Sequence, residues 1–473
     1  MSKIGTALVI LVSAGVTFGA LTLWQNIQDR KAEGREVTFA VGSIAEDTDD
    51  PAAWKSNFPR QYDSYLHTAD IARTRYGGSE ALSKVSGDTP WTTLWAGYPF
   101  SVDYREERGH AYMLDDQRET ERVKQFKQPG ACLHCHASVI PAYVKAGVAA
   151  GVPASDRAAA IEKGFEAVCA MPYADATKLV AHPVSCMDCH DPATMALRVT
   201  RPGFLHGIAA LASSDEALAH LPSIGAWRAS DRATPYDPNA LASRQEMRTF
   251  VCAQCHVEYH FRGPDKYLVY PWKNGIDIED EERYYDEIGF KDWTHQITGA
   301  SMLKGQHPEF EMWNQGVHAQ SGVACADCHM PYVREGAIKV SSHHVQSPLL
   351  DVNRSCQTCH RQDEAEIQRR VADIQGRTRH LMDLAENANL DLVAAIRAAI
   401  EAGVPAERLA NARELHRKAQ WRLDWVNAEN SMGFHAPGES LRILGESIDL
   451  ARQGVTDAER ARAAPTTAMS GAR

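Results

Sequence analysis

One five-residue pattern, Cys-x-x-Cys-His, recurs five times along this chain of 473 residues and uses ten of its eleven cysteines. The pattern is the attachment signature of covalent c-type haem, in which two thiols one helical turn apart add to the porphyrin vinyl groups and the next histidine lies under the iron. A fold that must enclose five porphyrins has little freedom in its core. The copies are CLHCH (Cys132, Cys135, His136), CMDCH (Cys186, Cys189, His190), CAQCH (Cys252, Cys255, His256), CADCH (Cys325, Cys328, His329) and CQTCH (Cys356, Cys359, His360).

Zinc sites and disulfides are the alternatives for cysteine pairs at this spacing. A zinc protein needs four ligands of mixed spacing and does not need a histidine directly after every second cysteine. Five copies of one pattern are also far beyond chance at these cysteine and histidine frequencies. We therefore predict five covalent haem c groups, and the remaining cysteine, Cys169, has no assigned function.

The first part of the chain contains a long apolar segment. From Ile4 to Trp24 no residue is charged, and these 21 residues can span a bilayer. The segment is long for the core of a signal peptide and no small-x-small cleavage site follows closely, so a membrane anchor is favoured over the alternative, a cleaved signal. Because covalent haem attachment takes place outside the cytoplasm, we expect a periplasmic protein anchored to the inner membrane by this N-terminal helix. Residues 25–40 are interpreted as a linker.

Charge and histidine content limit the function classes. A net charge of −11 argues against a nucleic-acid-binding protein, although the local field at a site can still attract an anionic substrate. Of twenty histidines, five are the motif ligands, and the other fifteen are enough to supply second axial ligands to several irons. The count alone does not say whether one iron keeps an open position, and an open position distinguishes a catalytic haem from an electron carrier.

The character of the sequence changes after His360. Before it, the chain is rich in Pro, Gly, Trp and Tyr with short periodic runs; after it, helical periodicity predicts helices over 361–400 and 405–429 and a third after Pro437. The apolar residues Leu409, Leu415, Trp421 and Trp425 would share one side of the second helix. Such helices need a covering surface, either a second subunit or the haem region. The predicted fold class is mainly α, a multihaem cytochrome c with an irregular haem-wrapping region and long C-terminal helices.

Several stretches around the motifs resemble a known family over about residues 90 to 450. They are RGHAY, CAQCHVEYHF, KGQHPEFEMW followed by GVHAQSGVACADCHMP, HHVQSP, AQWRLDWV and FHAP. In this order they resemble the pentahaem, ammonia-forming cytochrome c nitrite reductases. The resemblance implies a six-electron reduction of nitrite to ammonium at a five-coordinate haem on the first motif, fed by four bis-histidine haems. The implied regions are an anchor or signal segment (1–30), a pentahaem catalytic region (31–360), a dimerising helical region (361–465) and a disordered tail (466–473).

The resemblance also implies catalytic residues, namely Arg122, Tyr259 and His307. An arginine beside an open iron would supply fixed positive charge for a small anion. A tyrosine and a histidine can donate hydrogen bonds and relay protons as oxygen leaves as water. Each has a plainer alternative: Arg122 could pair with a haem propionate, Tyr259 could pack against a haem, and His307 could be a distal ligand.

A calcium site is implied by the same match. Its ligands would be the side chains of Glu258 and Gln306 and the backbone carbonyls of Tyr259 and Lys304, and hard oxygen ligands of this kind suit calcium. The cation would hold Tyr259 and His307 in place and strengthen the local field for an anion.

The family comparison assigns four distal ligands, His110, His318, His343 and His435, which leaves the iron of the first motif open. His344 competes with His343, which is preferred because its distance to Pro348 matches. His134, inside the first motif, is interpreted as solvent-facing. His136 is a departure, because most members carry lysine there, although some carry histidine.

Partners are also implied by the resemblance. They are nitrite as substrate, a membrane-bound multihaem quinol dehydrogenase as electron donor, and a second copy of the chain in a homodimer formed by the C-terminal helices. Two other functions stay open: a multihaem electron-transfer cytochrome without catalysis, and an enzyme of the same architecture acting mainly on hydroxylamine or sulfite.

Overall fold

The computed structural model describes residues 3–33, 41–78, 80–87, 89–106, 108–336 and 338–464. The chain divides into two units, Met1–Ala45 and Glu46–Arg473. Helices dominate, and the strands form short two-stranded antiparallel sheets, so the predicted mainly α fold is confirmed. The predicted disordered tail, 466–473, lies outside the described residues.

The first unit contains helix α1, Lys3–Glu33. Its stretch Lys3–Gln28, with a mean hydropathy of 2.1, is long and apolar enough to cross a membrane, a test that a signal sequence near the N-terminus also passes. The interpretation of residues 25–40 as a linker is wrong for 25–33, because the helix continues to Glu33 without a break. Residues 34–40 lie outside the described residues.

Up to the fifth motif, the second unit is built from short helices joined by irregular chain. The α-helices are α2 Pro59–Leu66, α3 Lys84–Gly87, α4 Thr89–Leu94, α5 Met113–Glu119, α6 Glu121–Gln125, α7 Leu133–His136, α8 Ile140–Ala149, α9 Arg157–Ala170, α10 Tyr173–Ala176, α11 Pro202–Ser213, α12 Pro222–Arg228, α13 Pro238–Leu241, α14 Arg244–Ala253, α15 Ile278–Glu287, α16 Glu309–Asn314, α17 Val317–Gln320, α18 Cys325–His329 and α19 Val352–Ser355. Several begin with proline, which suits a first helical position because its missing N–H needs no partner there.

Three small hairpins complete this region. Their strands are β1 His260–Arg262 with β2 Tyr267–Val269, β3 Trp293–Thr294 with β4 Ser301–Met302, and β5 Tyr332–Glu335 with β6 Ile338–Ser341. Short 3-10 helices lie at Pro51–Trp54, His67–Ala69, Pro99–Ser101, His110–Tyr112, Gly130–Cys132, Thr177–Leu179, Cys186–Asp188, Pro348–Leu350 and Ala406–Leu409. Regular structure in this region is therefore local, and irregular backbone connects the motifs.

The three predicted C-terminal helices are confirmed as α20 Glu364–Glu401, α21 Ala410–Ala428 and α22 Pro437–Ala463. The side chain of Asp363 caps the start of α20 by accepting a hydrogen bond from Glu366 N at 2.8 Å. The chain leaves α20 through Gly403, whose φ of 77° lies in the left-handed region. Helices α20, α21 and α22 pack together, and their core is continuous with buried residues of α4 and α15.

Helix α21 differs from the one-sided pattern that its sequence suggested. Leu409, Trp421 and Trp425 are buried, but Leu415 is only partly buried, and every residue of 419–426 is buried. The reason is that α21 is enclosed between α22 and the earlier part of the chain, so its polar side chains have partners inside. Gln420, for example, donates to the Leu94 carbonyl at 2.6 Å. These helices therefore cover the motif-bearing region of their own chain.

Leu392 and Leu384 test this packing on one helix. Leu392 of α20 is fully buried against Gly454 of α22, whereas Leu384 is 43% exposed. We expect Leu392→Ala to lower the free energy of unfolding by about 2–5 kcal/mol and Leu384→Ala by about 0.5 kcal/mol or less. Urea unfolding of the holo-protein, followed by far-ultraviolet circular dichroism, measures both. Equal losses in the two variants would contradict the described packing.

Candidate functional site

Four motif histidines each face one of the four histidines that the sequence suggested as distal ligands. The ring centroids are 6.0 Å apart for His190 and His343, 6.4 Å for His256 and His110, 6.3 Å for His329 and His435, and 6.3 Å for His360 and His318. Two imidazoles held on opposite faces of one metal ion by bonds of about 2 Å have their centroids about 6 Å apart. The spacing of all four pairs therefore fits a six-coordinate haem iron between the rings.

The hydrogen bonds of these rings also suit metal binding. Nδ1 donates to a backbone carbonyl in His190 (Met195, 3.1 Å), His329 (Gln346, 2.9 Å) and His343 (Ser341, 3.0 Å). A carbonyl partner on Nδ1 leaves Nε2 as the lone-pair donor and fixes the ring. Burial lowers the pKa of His110, His329 and His343 to about 4, so these rings are neutral at pH 7.

Two glycines allow the distal histidines to reach their partners. A Cβ on Gly109 would lie 1.7 Å from the Thr68 carbonyl oxygen, next to His110. A Cβ on Gly316 would lie 2.0 Å from the carbonyl oxygen of His435. Any larger residue would force the backbone apart at both places. The close approach of the ligand-bearing segments therefore depends on glycine, which has no side chain, at both positions.

A cavity of about 1030 Å³ runs past all five motifs. The first and third motifs meet along it, since the Cys135 thiol neighbours the Cys255 thiol. The third and fourth motifs meet in the same way at Cys252 and Cys325. Haem groups attached at these positions would be close neighbours, and a chain of close haems can carry electrons.

A buried ion pair ties the first two motifs together. Arg201, 1% exposed, donates to the Asp188 carboxylate inside the second motif at 2.9 Å and to the carbonyl of Ala137, directly after the first motif, at 2.7 Å. The side chain of Gln254 in the third motif donates to the Asp188 carbonyl at 3.1 Å. Sequence reasoning missed Arg201, because an arginine outside any motif carries no sign that its charge is buried.

Arg122 and Tyr259 lie at the part of the cavity that holds the first motif. The Tyr259 phenol is surrounded by Cys132, Cys135, Tyr98 and Arg122, and burial raises its pKa well above the usual value, so it stays protonated as a donor. The Arg122 guanidinium stacks 4.0 Å from the Phe100 ring centroid. Within the described residues it has no carboxylate at ion-pair distance, so its charge is available to an anion.

The third predicted catalytic residue, His307, lines the same cavity on the side of the third motif. Its Nδ1 lies 3.9 Å from Oε1 of Glu309, and its ring centroid is 6.5 Å from that of His256 at 72°. Although burial opposes the positive charge of His256, Glu309 raises its pKa to about 9. The structure thus brings His307 close to the buried carboxylate of Glu309.

The two histidines of the first motif, His134 and His136, have different surroundings. His136 Nδ1 donates to the Met113 carbonyl at 3.1 Å. The prediction that His134 faces solvent is wrong: it is fully buried, its ring packs 5.0 Å from Phe165, and its Nδ1 lies 3.2 Å from the Tyr143 hydroxyl. The reason is that α7 packs this face against α8 and α9, where burial lowers the pKa of His134 well below its ordinary value.

The predicted calcium ligands converge in the interior. Glu258 Oε2 accepts from Gln306 N at 2.6 Å, and the Gln306 side-chain amide lies 3.4 Å from the Lys304 carbonyl oxygen. The Lys304 ammonium does not compete for this place, because it donates to Asp424 at 3.1 Å. Tyr259 follows Glu258 directly in the chain.

The surroundings of Glu258 fit a bound cation. It is 1% exposed, and burial raises its pKa well above the ordinary value. Within the described residues no lysine or arginine pairs with it, although the Tyr285 hydroxyl donates at 2.9 Å. A buried carboxylate needs compensating charge. Calcium at Glu258, Gln306 and the nearby carbonyls would provide it with the oxygen ligands that it prefers.

Known proteins are similar to this chain over most of its length. The model of the cytochrome c552 family matches residues 50–471. Cytochrome c-552 of Parabacteroides distasonis is 36% identical over 407 residues, which are 85% of this chain and 74% of the relative. The cytochrome c nitrite reductase subunit NrfA of Nitratidesulfovibrio vulgaris is 34% identical over 442 residues, which are 85% of this chain and 77% of the relative.

A solved structure is similar over nearly the whole chain. It is the catalytic subunit of the cytochrome c nitrite reductase from Desulfovibrio desulfuricans ATCC 27774, a protein with two calcium sites. The two structures agree with a TM-score of 0.71 at 32% sequence identity, over 89% of this chain and 88% of the other.

Proposed function

The chain belongs to the cytochrome c552 family, which includes cytochrome c nitrite reductases, and on this premise we propose that it reduces nitrite to ammonium at the first motif. One observation carries the proposal: the four distal histidines each face the histidine of motifs two to five, while Arg122 and Tyr259 lie beside the cysteines of the first. The electron-carrying and substrate-binding parts are thus separate along one cavity.

Five covalent haem c groups would be held by the ten motif cysteines and five motif histidines. The irons of motifs two to five would take their second axial ligands, in that order, from His343, His110, His435 and His318. The haem on Cys132 and Cys135, with His136 as proximal ligand, would supply an iron that binds nitrite and passes it six electrons.

The protein side chains would bind the anion and supply protons. The Arg122 guanidinium offers fixed positive charge and planar donors to an oxyanion. The Tyr259 phenol donates a hydrogen bond, and its high pKa keeps the proton in place until it is needed. His307, whose Nδ1 lies 3.9 Å from the Glu309 carboxylate, can relay a proton through its imidazole.

Calcium at Glu258, Gln306 and the carbonyls of Tyr259 and Lys304 would fix the backbone on both sides of the pocket. Glu258 precedes Tyr259, and Gln306 precedes His307. One cation thus positions both donors and adds positive field for an anion.

Location and partners complete the proposal. The apolar helix α1 supports a periplasmic protein that is anchored to the inner membrane, with a cleaved signal as the alternative. The resemblance favours a homodimer through the C-terminal helices and a membrane-bound multihaem quinol dehydrogenase as donor.

The pocket residues are tested by substitution in the purified holo-protein. We expect Tyr259→Phe and His307→Ala to lower ammonium formation from nitrite by about 100-fold or more, because each removes a proton donor. Arg122→Gln should raise the KM for nitrite. Ammonium is measured with reduced viologen as electron source. Tyr267→Phe, outside the cavity lining, is the matched control and should keep full activity.

Two adjacent histidines test the ligand set. The His343 ring faces the motif histidine His190, whereas His344 lies 5.6 Å from the His67 ring. We expect His343→Ala to convert one low-spin haem to high spin and His344→Ala to leave the spectrum unchanged. Magnetic circular dichroism, with the haem count from the pyridine haemochrome, distinguishes the two. The reverse result would contradict the assignment.

Calcium is tested by Glu258→Gln, which keeps the size of the side chain and removes its charge. Bound calcium, measured by elemental analysis, should fall by one ion per chain, and nitrite turnover should fall about tenfold or more, as for ligands that orient a site. Glu216→Gln, in the more exposed acidic group with Asp277 and Asp280, is the control and should keep activity. An unchanged calcium content in Glu258→Gln would refute this site.

A further inference from the structure

The ring of His435 is held by a buried carboxylate. Glu429, 2% exposed, lies just after α21, and its Oε1 accepts a hydrogen bond from His435 Nδ1 at 2.5 Å. The chain turns back between them through Met432 and Gly433, whose φ angles of 54° and 81° are both left-handed. This reversal directs the His435 ring toward His329, the histidine of the fourth motif.

Both carboxylate oxygens of Glu429 act as acceptors. The Ser431 hydroxyl donates to Oε2 at 2.7 Å, and Ser431 N donates to Oε1 at 3.2 Å. The same hydroxyl accepts from His435 N at 2.9 Å. The contact between Glu429 and His435 is therefore built into a closed hydrogen-bonded turn, and a carboxylate that only accepts satisfies every partner in it.

Three other rings of the four facing pairs have weaker acceptors. The Nδ1 partners of His190, His329 and His343 are neutral backbone carbonyls. His256 also has a carboxylate nearby, Glu309, which lies 3.8 Å from its Nδ1 and raises its pKa. Within the described residues, His435 is the ring of these pairs that directly contacts a carboxylate.

A carboxylate acceptor makes an imidazole ligand more basic, and a more basic ligand stabilises ferric over ferrous iron. We propose that Glu429 acts through His435 as a positioning residue that lowers the reduction potential of the haem on the fourth motif. The proposal rests on the ligand set of the proposed function.

The position of the fourth motif explains what a strong reductant would do there. Cys325 of this motif neighbours Cys252 of the third, and the Ser355 hydroxyl, next to the fifth motif, donates to the Cys328 carbonyl at 2.8 Å. A haem on the fourth motif would therefore lie between those on the fifth and the third. A lower potential there would favour passing an electron on to the third motif, which neighbours the first.

Glu429→Gln tests the proposal in the full holo-protein, because it keeps an acceptor oxygen for His435 and removes the charge. Spectroelectrochemistry without nitrite should move one low-spin component to higher potential by at least about 59 mV, a tenfold change in the relative affinity for the two oxidation states. The other components should stay in place. Glu429→Asp retains the charge and should shift less. Glu446→Gln, a half-exposed glutamate of α22, should shift nothing.

Each outcome decides the question. Five haems per chain with potentials equal to wild type in Glu429→Gln would overturn the proposal, as would a uniform shift of all components. A haem count below five in both Glu429 variants would make the residue structural and also overturn it. Failure of the wild type to form ammonium would count against the proposed function only, because the potentials are measured without substrate.

Discussion

The facing imidazoles are the constraint on which the rest of the structure depends. Each pair joins segments far apart in sequence, such as His110 with His256, or His318 with His360. Imidazole rings about 6 Å apart gain little from each other, and a metal ion between them would turn each gap into two coordinate bonds. This explains why the motif-bearing region contains only short helices and hairpins. The facing histidines join distant segments of the chain, a role that a larger sheet would otherwise have.

The polar groups buried between the motifs keep those positions in register. Arg201 and Asp188 are nearly inaccessible, and the desolvation of such a pair is compensated only if its other donors and acceptors are satisfied. Here the Ala137 carbonyl and Ser185 N provide two of those partners, whereas Arg201 Nε is buried without one among the described residues. The pair therefore contributes less to net stability than to the placement of the first two motifs relative to each other.

What could be predicted from sequence follows from how local each signal is. The helices α20 to α22 depend on spacing within a few turns, and their prediction is confirmed. The burial of His134 and the enclosure of α21 depend on which distant segments pack against them, and no periodicity within the element records that. The pairing of His343 rather than His344 with His190 could be suggested only through the resemblance, since two adjacent histidines are equivalent by composition. Arg201 and Glu429 left no signal, because a charged residue in an irregular stretch usually lies in solvent.

Two of the buried carboxylates, Glu258 and Glu429, differ in the partners that satisfy them. Glu258 is held by a backbone N–H and a phenol, and its remaining need for positive charge suits a cation. Glu429 is satisfied by Ser431 and by the His435 ring, so its charge is directed into a ligand of the fourth motif. Under the proposed function, Glu258 would help to fix where the substrate binds, and Glu429 would set how strongly an electron is driven toward it. Both would act on the reaction without touching the substrate, through the groups that they hold in place.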